Sequence, residues 1–167
     1  LCLERPALRY VRLDRQGLPA LAPPLQTADD LAPGLRLLSD GGDVAVLTCG
    51  ALCHSALEAA AALAAEGLRP KVIDLYRIKP LSTPALLEQL QGCRAIVTVE
   101  EQLLDGGFGS AVAEALLDAG AILPMRRLGL RDGFVVENGH RDRLWRNFGI
   151  DAPAIAAAVR EMAPVAA

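Results

Sequence analysis

The sequence predicts an α/β domain, with a mostly parallel sheet of about five strands lying between helices on both faces. Three observations carry that expectation. The apolar run at residues 44–48 is continuous and not alternating, as a strand covered on both faces is, and further strands are expected at 72–75 and 95–99. Stretches suited to helices separate them, and glycine or proline marks the junctions. The chain is 52% hydrophobic but only 4% aromatic, so its core is built mainly of Ala, Leu and Val, which lets helices approach a sheet closely. At 167 residues it is long enough for one core and short for two.

Taken in order, residues 9–13 (RYVRL) read as a short strand followed by the turn-like DRQGLP. Residues 18–33 are rich in proline and alanine without a period, which is the signature of a linker. A polar, hairpin-like stretch at 35–43 passes through Asp40-Gly41-Gly42, and the compact part of the chain begins there. The strand at 44–48 ends at Gly50, and a helix over 55–66 stops at Gly67. A strand at 72–75 leads to a helix opened by Ser82-Thr83-Pro84, with proline in its first turn. The strand at 95–99 precedes a helix over 106–118 that ends at Gly120. A strand at 125–128, a short helix at 142–148 and a helix capped by Asp151, with Pro153 in its first turn, complete the chain. Such alternation implies right-handed crossovers, and ligands of such sheets meet the loops at the carboxyl ends of the strands. The loops after Thr48, Leu75 and Val99 are therefore where chemistry is to be sought.

A formal charge of -3 gives no electrostatic footprint for nucleic acid, and no apolar run reaches the length of a membrane span. The chain opens LCLERP, without a basic region leading an apolar one, so no signal peptide is expected, and a first residue other than Met suggests a processed chain or a fragment. Cys2, Cys49, Cys53 and Cys93 show no CxxC pairing. Cys49, Cys53 and His54 offer three metal donors but lack a fourth, so reduced, packed thiols in a cytoplasmic protein are the expectation.

The most informative loop is EEQLLDGGFGS, after the third apolar run. Glu100 and Glu101 arrive at the sheet edge, and Gly106, Gly107 and Gly109 remove side chains where a helix begins. A glycine-flanked helix start can bind an anion, but the three carboxylates beside it, Glu100, Glu101 and Asp105, oppose a phosphate and can themselves satisfy the helix N-terminus. Paired carboxylates can do acid–base work, yet no nucleophile or metal ligand accompanies them. A structural or interface role is the expectation for this turn. His54 is placed near the same edge, either within a polar network or on a helix surface. His140 is expected to face solvent or an interface.

The run VTVEEQLLDGGFGSAVAEAL at 97–116 resembles the signature of the C-terminal domain of transketolase-like, thiamine-diphosphate-dependent enzymes. DVAVLTCG at 43–50, the stretch 56–81 ending in KPL, RRLGLRDGFVVENG at 126–139 and FGID at 148–151 resemble further segments of that domain in order. The resemblance implies three parts: residues 1–18 as the tail of a pyrimidine-binding domain, 19–34 as a linker and 35–167 as the C-terminal domain. It also implies that Arg15, in the Arg-Gln-Gly-Leu-Pro turn, contacts a sugar-phosphate substrate, for which a guanidinium fork is well suited. Thiamine diphosphate and magnesium would be held mainly outside this chain, which has no Gly-Asp-Gly motif. The implied partners are the remaining transketolase domains or a separate N-terminal subunit, in a homodimer or heterotetramer. The implied activity is transfer of two-carbon ketol units between sugar phosphates, with this domain serving assembly and not catalytic alone. A 2-oxo acid dehydrogenase beta subunit or a deoxyxylulose-phosphate synthase is the alternative of the same fold, and a metabolite-sensing module the alternative of another class. Gln102 stands where many relatives carry histidine, which removes a proton carrier from the loop.

Overall fold

The computed structural model describes residues 6–15, 17–21 and 24–163. Its elements run β1 (Arg36–Ser39), β2 (Val44–Thr48), α1 (Leu52–Ala64), β3 (Lys71–Asp74), α2 (Thr83–Gln89), β4 (Ala95–Leu103), α3 (Phe108–Asp118), β5 (Met125–Leu130), α4 (Arg141–Phe148) and α5 (Ala152–Met162). The five strands form one sheet in the order β1-β3-β2-β4-β5, parallel throughout except for β1 at one edge.

Alternate side chains of the central strands enter two separate cores, as the two-residue period of a strand requires. Val44, Val46, Val72, Val97 and Val99 pack under α1 and α5 with Leu52, Ala56, Ile155 and Val159. Ala45, Leu47, Ile73 and Ile96 pack under α2 and α3 with Leu86, Phe108, Val112 and Leu116. The architecture is therefore helix, sheet, helix, as expected, and the continuous apolar runs are continuous because both faces are covered. Asp151 caps α5 by accepting the Ala154 N–H at 3.1 Å, with proline in the first turn.

Four local expectations are corrected. Residues 9–13 form no strand; they are exposed, and no sheet edge among the described residues pairs with them. The hairpin-like stretch after Leu35 is instead β1, which pairs antiparallel with β3, a strand more than thirty residues further along the chain (Arg36↔Asp74). β4 continues through Glu100 and Glu101 to Leu103, because β5 supplies a partner as far as Leu130 across an irregular register. The helix placed over 106–118 begins later, at Phe108, because Gly106 takes a φ of 70° and Gly107 is its extended cap.

Candidate functional site

β2 sends its chain to α1 on one face, whereas β4 sends its chain to α3 on the other. The carboxyl ends of these adjacent strands therefore border the crevice where α/β sheets place their sites. The Thr48 hydroxyl closes part of it by donating to the Val99 carbonyl at 2.8 Å.

Glu100 is buried at the end of this crevice, only 3% exposed. One carboxylate oxygen accepts the Phe108 N–H at 2.6 Å and the other accepts the Gly109 N–H at 2.9 Å. Both donors belong to the first turn of α3, where N–H groups have no partner within the helix. The site that could have cradled an anion is thus filled by the chain's own carboxylate. Burial raises the Glu100 pKa above the ordinary glutamate value, against the pull of the two N–H bonds and of Arg127. Arg127 sits beside it, donating to the Leu104 carbonyl and the Ser110 hydroxyl, each at 2.9 Å.

The glycines make this approach possible in different ways. A Cβ at Gly109 would lie 2.6 Å from Thr98 Oγ1 and 2.9 Å from Arg127 Cδ, and one at Gly107 would overlap the Glu100 carboxylate and the Leu103 carbonyl. Gly106 has open space around it and is needed for its positive φ.

Glu101 points away from this arrangement and is half-buried. It receives both arms of the Arg141 guanidinium, Nε at 2.8 Å and Nη2, and the Trp145 indole N–H at 2.6 Å. Arg141 lies over the Trp145 ring, 5.0 Å from its centroid, and its remaining Nη1 meets Asp14 at 2.7 Å. Asp105 is exposed. His54 is half-buried early in α1, and among the described residues no hydrogen bond joins it to Glu100. His140 is exposed at the start of α4. Arg15 is exposed, while Gln16 and Cys2 lie outside the described residues.

Cys49 is half-buried at the crevice, its thiol pushed up to about 11 by burial and by nearby Asp74, which disfavours the thiolate. Cys53 and Cys93 are free and buried, with thiols also shifted upward by burial. Asp74 is buried beside Cys49 and Cys53, with Arg36 on one oxygen at 3.2 Å. Among the described residues no group of three or more metal-ligating side chains is brought together.

A model of the family described as "Transketolase, C-terminal domain" matches residues 34–155. The chain belongs to this family of transketolase C-terminal domains. Among its relatives, 1-deoxy-D-xylulose-5-phosphate synthase of Thermomicrobium roseum is 43% identical over 150 residues, 90% of this chain and 23% of the relative. An apulose-4-phosphate transketolase subunit of Actinobacillus succinogenes is 33% identical over 147 residues, 87% of this chain and 46% of the relative. A solved split-gene transketolase, described as an inactive beta4 tetramer, superposes with a TM-score of 0.77 and 33% identity, covering 89% of this chain and 47% of that one. The transketolase of Leishmania mexicana shares the fold alone, at a TM-score of 0.60 and 18% identity. This transketolase C-terminal domain thus spans from about a fifth to about half the length of these proteins.

Sequence reasoning found the carboxylate turn but missed Asp14, Arg127, Arg141 and Trp145. The one available signal was the chain's single tryptophan, set among arginines in α4. Spacing could not join Glu101 to an arginine forty residues away, since that contact depends on how α4 packs beside β4.

Proposed function

We propose that this transketolase C-terminal domain completes a thiamine-diphosphate-dependent enzyme that moves two-carbon ketol units between sugar phosphates, and that it serves assembly and subunit contact without catalysing the reaction alone. The observation that carries this reading is the commitment of both carboxylates. Glu100 is bound to the start of α3 and Glu101 to Arg141 and Trp145, so neither is left as an acid–base group. A diphosphate brought to α3 would meet the Glu100 carboxylate, so the residues here do not fit the cofactor. Thiamine diphosphate and magnesium then belong to other domains or to a separate N-terminal subunit, in a cytoplasmic homodimer or heterotetramer. Arg15 is the residue of this chain assigned to the substrate phosphate. Its exposure and the resemblance of the Arg-Gln-Gly-Leu-Pro turn support that role.

The test is to assay ketol transfer by this chain alone and after assembly with the upstream domains. Activity is expected only in the assembly, and turnover by the chain alone would refute the proposal. A second reading, completion of a 1-deoxy-D-xylulose-5-phosphate synthase, is favoured by the 43% identity to the Thermomicrobium roseum relative. Formation of 1-deoxy-D-xylulose 5-phosphate by the same assembly, without ketol transfer, would select it.

A further inference from the structure

Every residue from 6 to 15 is exposed, yet the Asp14 side chain is only 29% accessible. It is turned inward onto Arg141, whose own side chain is 24% accessible. Arg141 is held from two other sides. Glu101 takes two of its nitrogens, Trp145 lies beneath its plane, and Trp145 is itself fixed by its indole N–H on the same Glu101. An arginine with two donors already oriented loses little further freedom on making a third contact. Its remaining nitrogen is therefore a preset docking point, and Asp14 occupies it at 2.7 Å. The Glu101 and Asp14 carboxylates both hold the guanidinium firmly charged.

We propose that Glu101, Arg141 and Asp14 form a clip that seats the chain segment entering the domain, with Arg141 as a positioning residue for the adjacent Arg15. This assignment rests on the reading of Arg15 as a phosphate contact. The clip ties residue 14 to the far end of the domain, between β4 and α4, and so fixes where residue 15 begins. The pairing joins one carboxylate fixed on the sheet, Glu101, to one carried by the segment that leads into the domain, Asp14. It gives Glu101 a function that an ordinary surface ion pair would not have.

The test uses the full chain first. Cleavage by trypsin after Arg12 and Arg15 follows the population of the undocked segment, and cleavage after Arg131, in the exposed segment 131–140, is the internal control. Asp14→Asn is expected to speed cleavage after Arg12 and Arg15 about fivefold relative to the control, the scale for losing a partly screened ion pair. Asp14→Glu, which keeps the carboxylate, is expected to stay within about twofold of the parent chain. Equal cleavage of Asp14→Asn and parent would overturn the clip. In the assembled enzyme, Arg15→Ala and Asp14→Asn are both expected to raise KM for the sugar phosphate, the latter with kcat within about twofold of the parent. If Arg15→Ala leaves KM unchanged, the substrate role of Arg15 is wrong and its positioning falls with it. If Arg15→Ala raises KM and Asp14→Asn does not, the substrate role stands and the positioning role is overturned.

Discussion

A carboxylate and a short helix explain the turn after β4. Glu100 arrives from a strand, so its backbone is fixed before the helix starts, and its two oxygens match two N–H groups that would otherwise be buried without acceptors. Glutamine has the same shape but only one acceptor, and its amide nitrogen would face a backbone N–H, donor against donor. Glu100→Gln is therefore expected to destabilise the domain by about 1–3 kcal/mol, read as a lower urea midpoint at unchanged slope. A change under roughly 0.5 kcal/mol would mean that the carboxylate is not what caps α3. Glu101 differs from its neighbour because successive residues of a strand face opposite sides. The pair looked like one acidic feature in the sequence and is two separate contacts in the fold.

The junction of β4 and α3 separates two kinds of glycine requirement. Gly109 has an ordinary helical position but no room, since an added methyl would press on Thr98 Oγ1 and Arg127 Cδ at 2.6 and 2.9 Å. Gly106 has room but a φ of 70°. Gly109→Ala is expected to cost about 1–3 kcal/mol by overpacking, and Gly106→Ala about 1–2 kcal/mol by left-handed strain. The two mechanisms part on rescue: Thr98→Ala, which removes the facing hydroxyl, should recover part of the loss in Gly109→Ala and none in Gly106→Ala, measured by denaturant melts of the double variants. This junction also shows what the sequence could tell. The runs at 44–48 and 95–99 were legible because full burial on both faces leaves threonine as the one polar residue type within them. The extension of β4 through Glu100, Glu101 and Gln102 was not, because the strand that pairs with it, β5, and the partners of Glu101, Arg141 and Trp145, lie well further along the chain. β1 was read as part of a local hairpin because nothing in four residues reveals an antiparallel partner beyond α1. The fold was therefore nearly all visible, and of the candidate site only the residues delivered by one loop.

At the scale of the whole molecule, the two cores are unequal in their dependence on the chain's end. α5 contributes Ile155 and Val159, both essentially buried, to the core that it shares with α1. Each such side chain is worth about 1.5–3 kcal/mol of burial, against a total stability of order 5–15 kcal/mol for a domain. Removal of residues 151–167 is expected to abolish cooperative thermal unfolding by circular dichroism. Retention of a sharp transition would show that the α2 and α3 side stabilises the sheet unaided.

The contact between Asp14 and Arg141 has a consequence for how the domain meets whatever precedes it. Among the described residues, the next buried one along the chain is Ala28. About a dozen residues separate Asp14 from Ala28, and a flexible coil of that length has a root-mean-square reach of about 20 Å. Groups joined by such a tether meet at an effective concentration in the millimolar range. The ion pair then sets whether an upstream partner is held in register or merely kept nearby, so its strength tunes local concentration and not contact area.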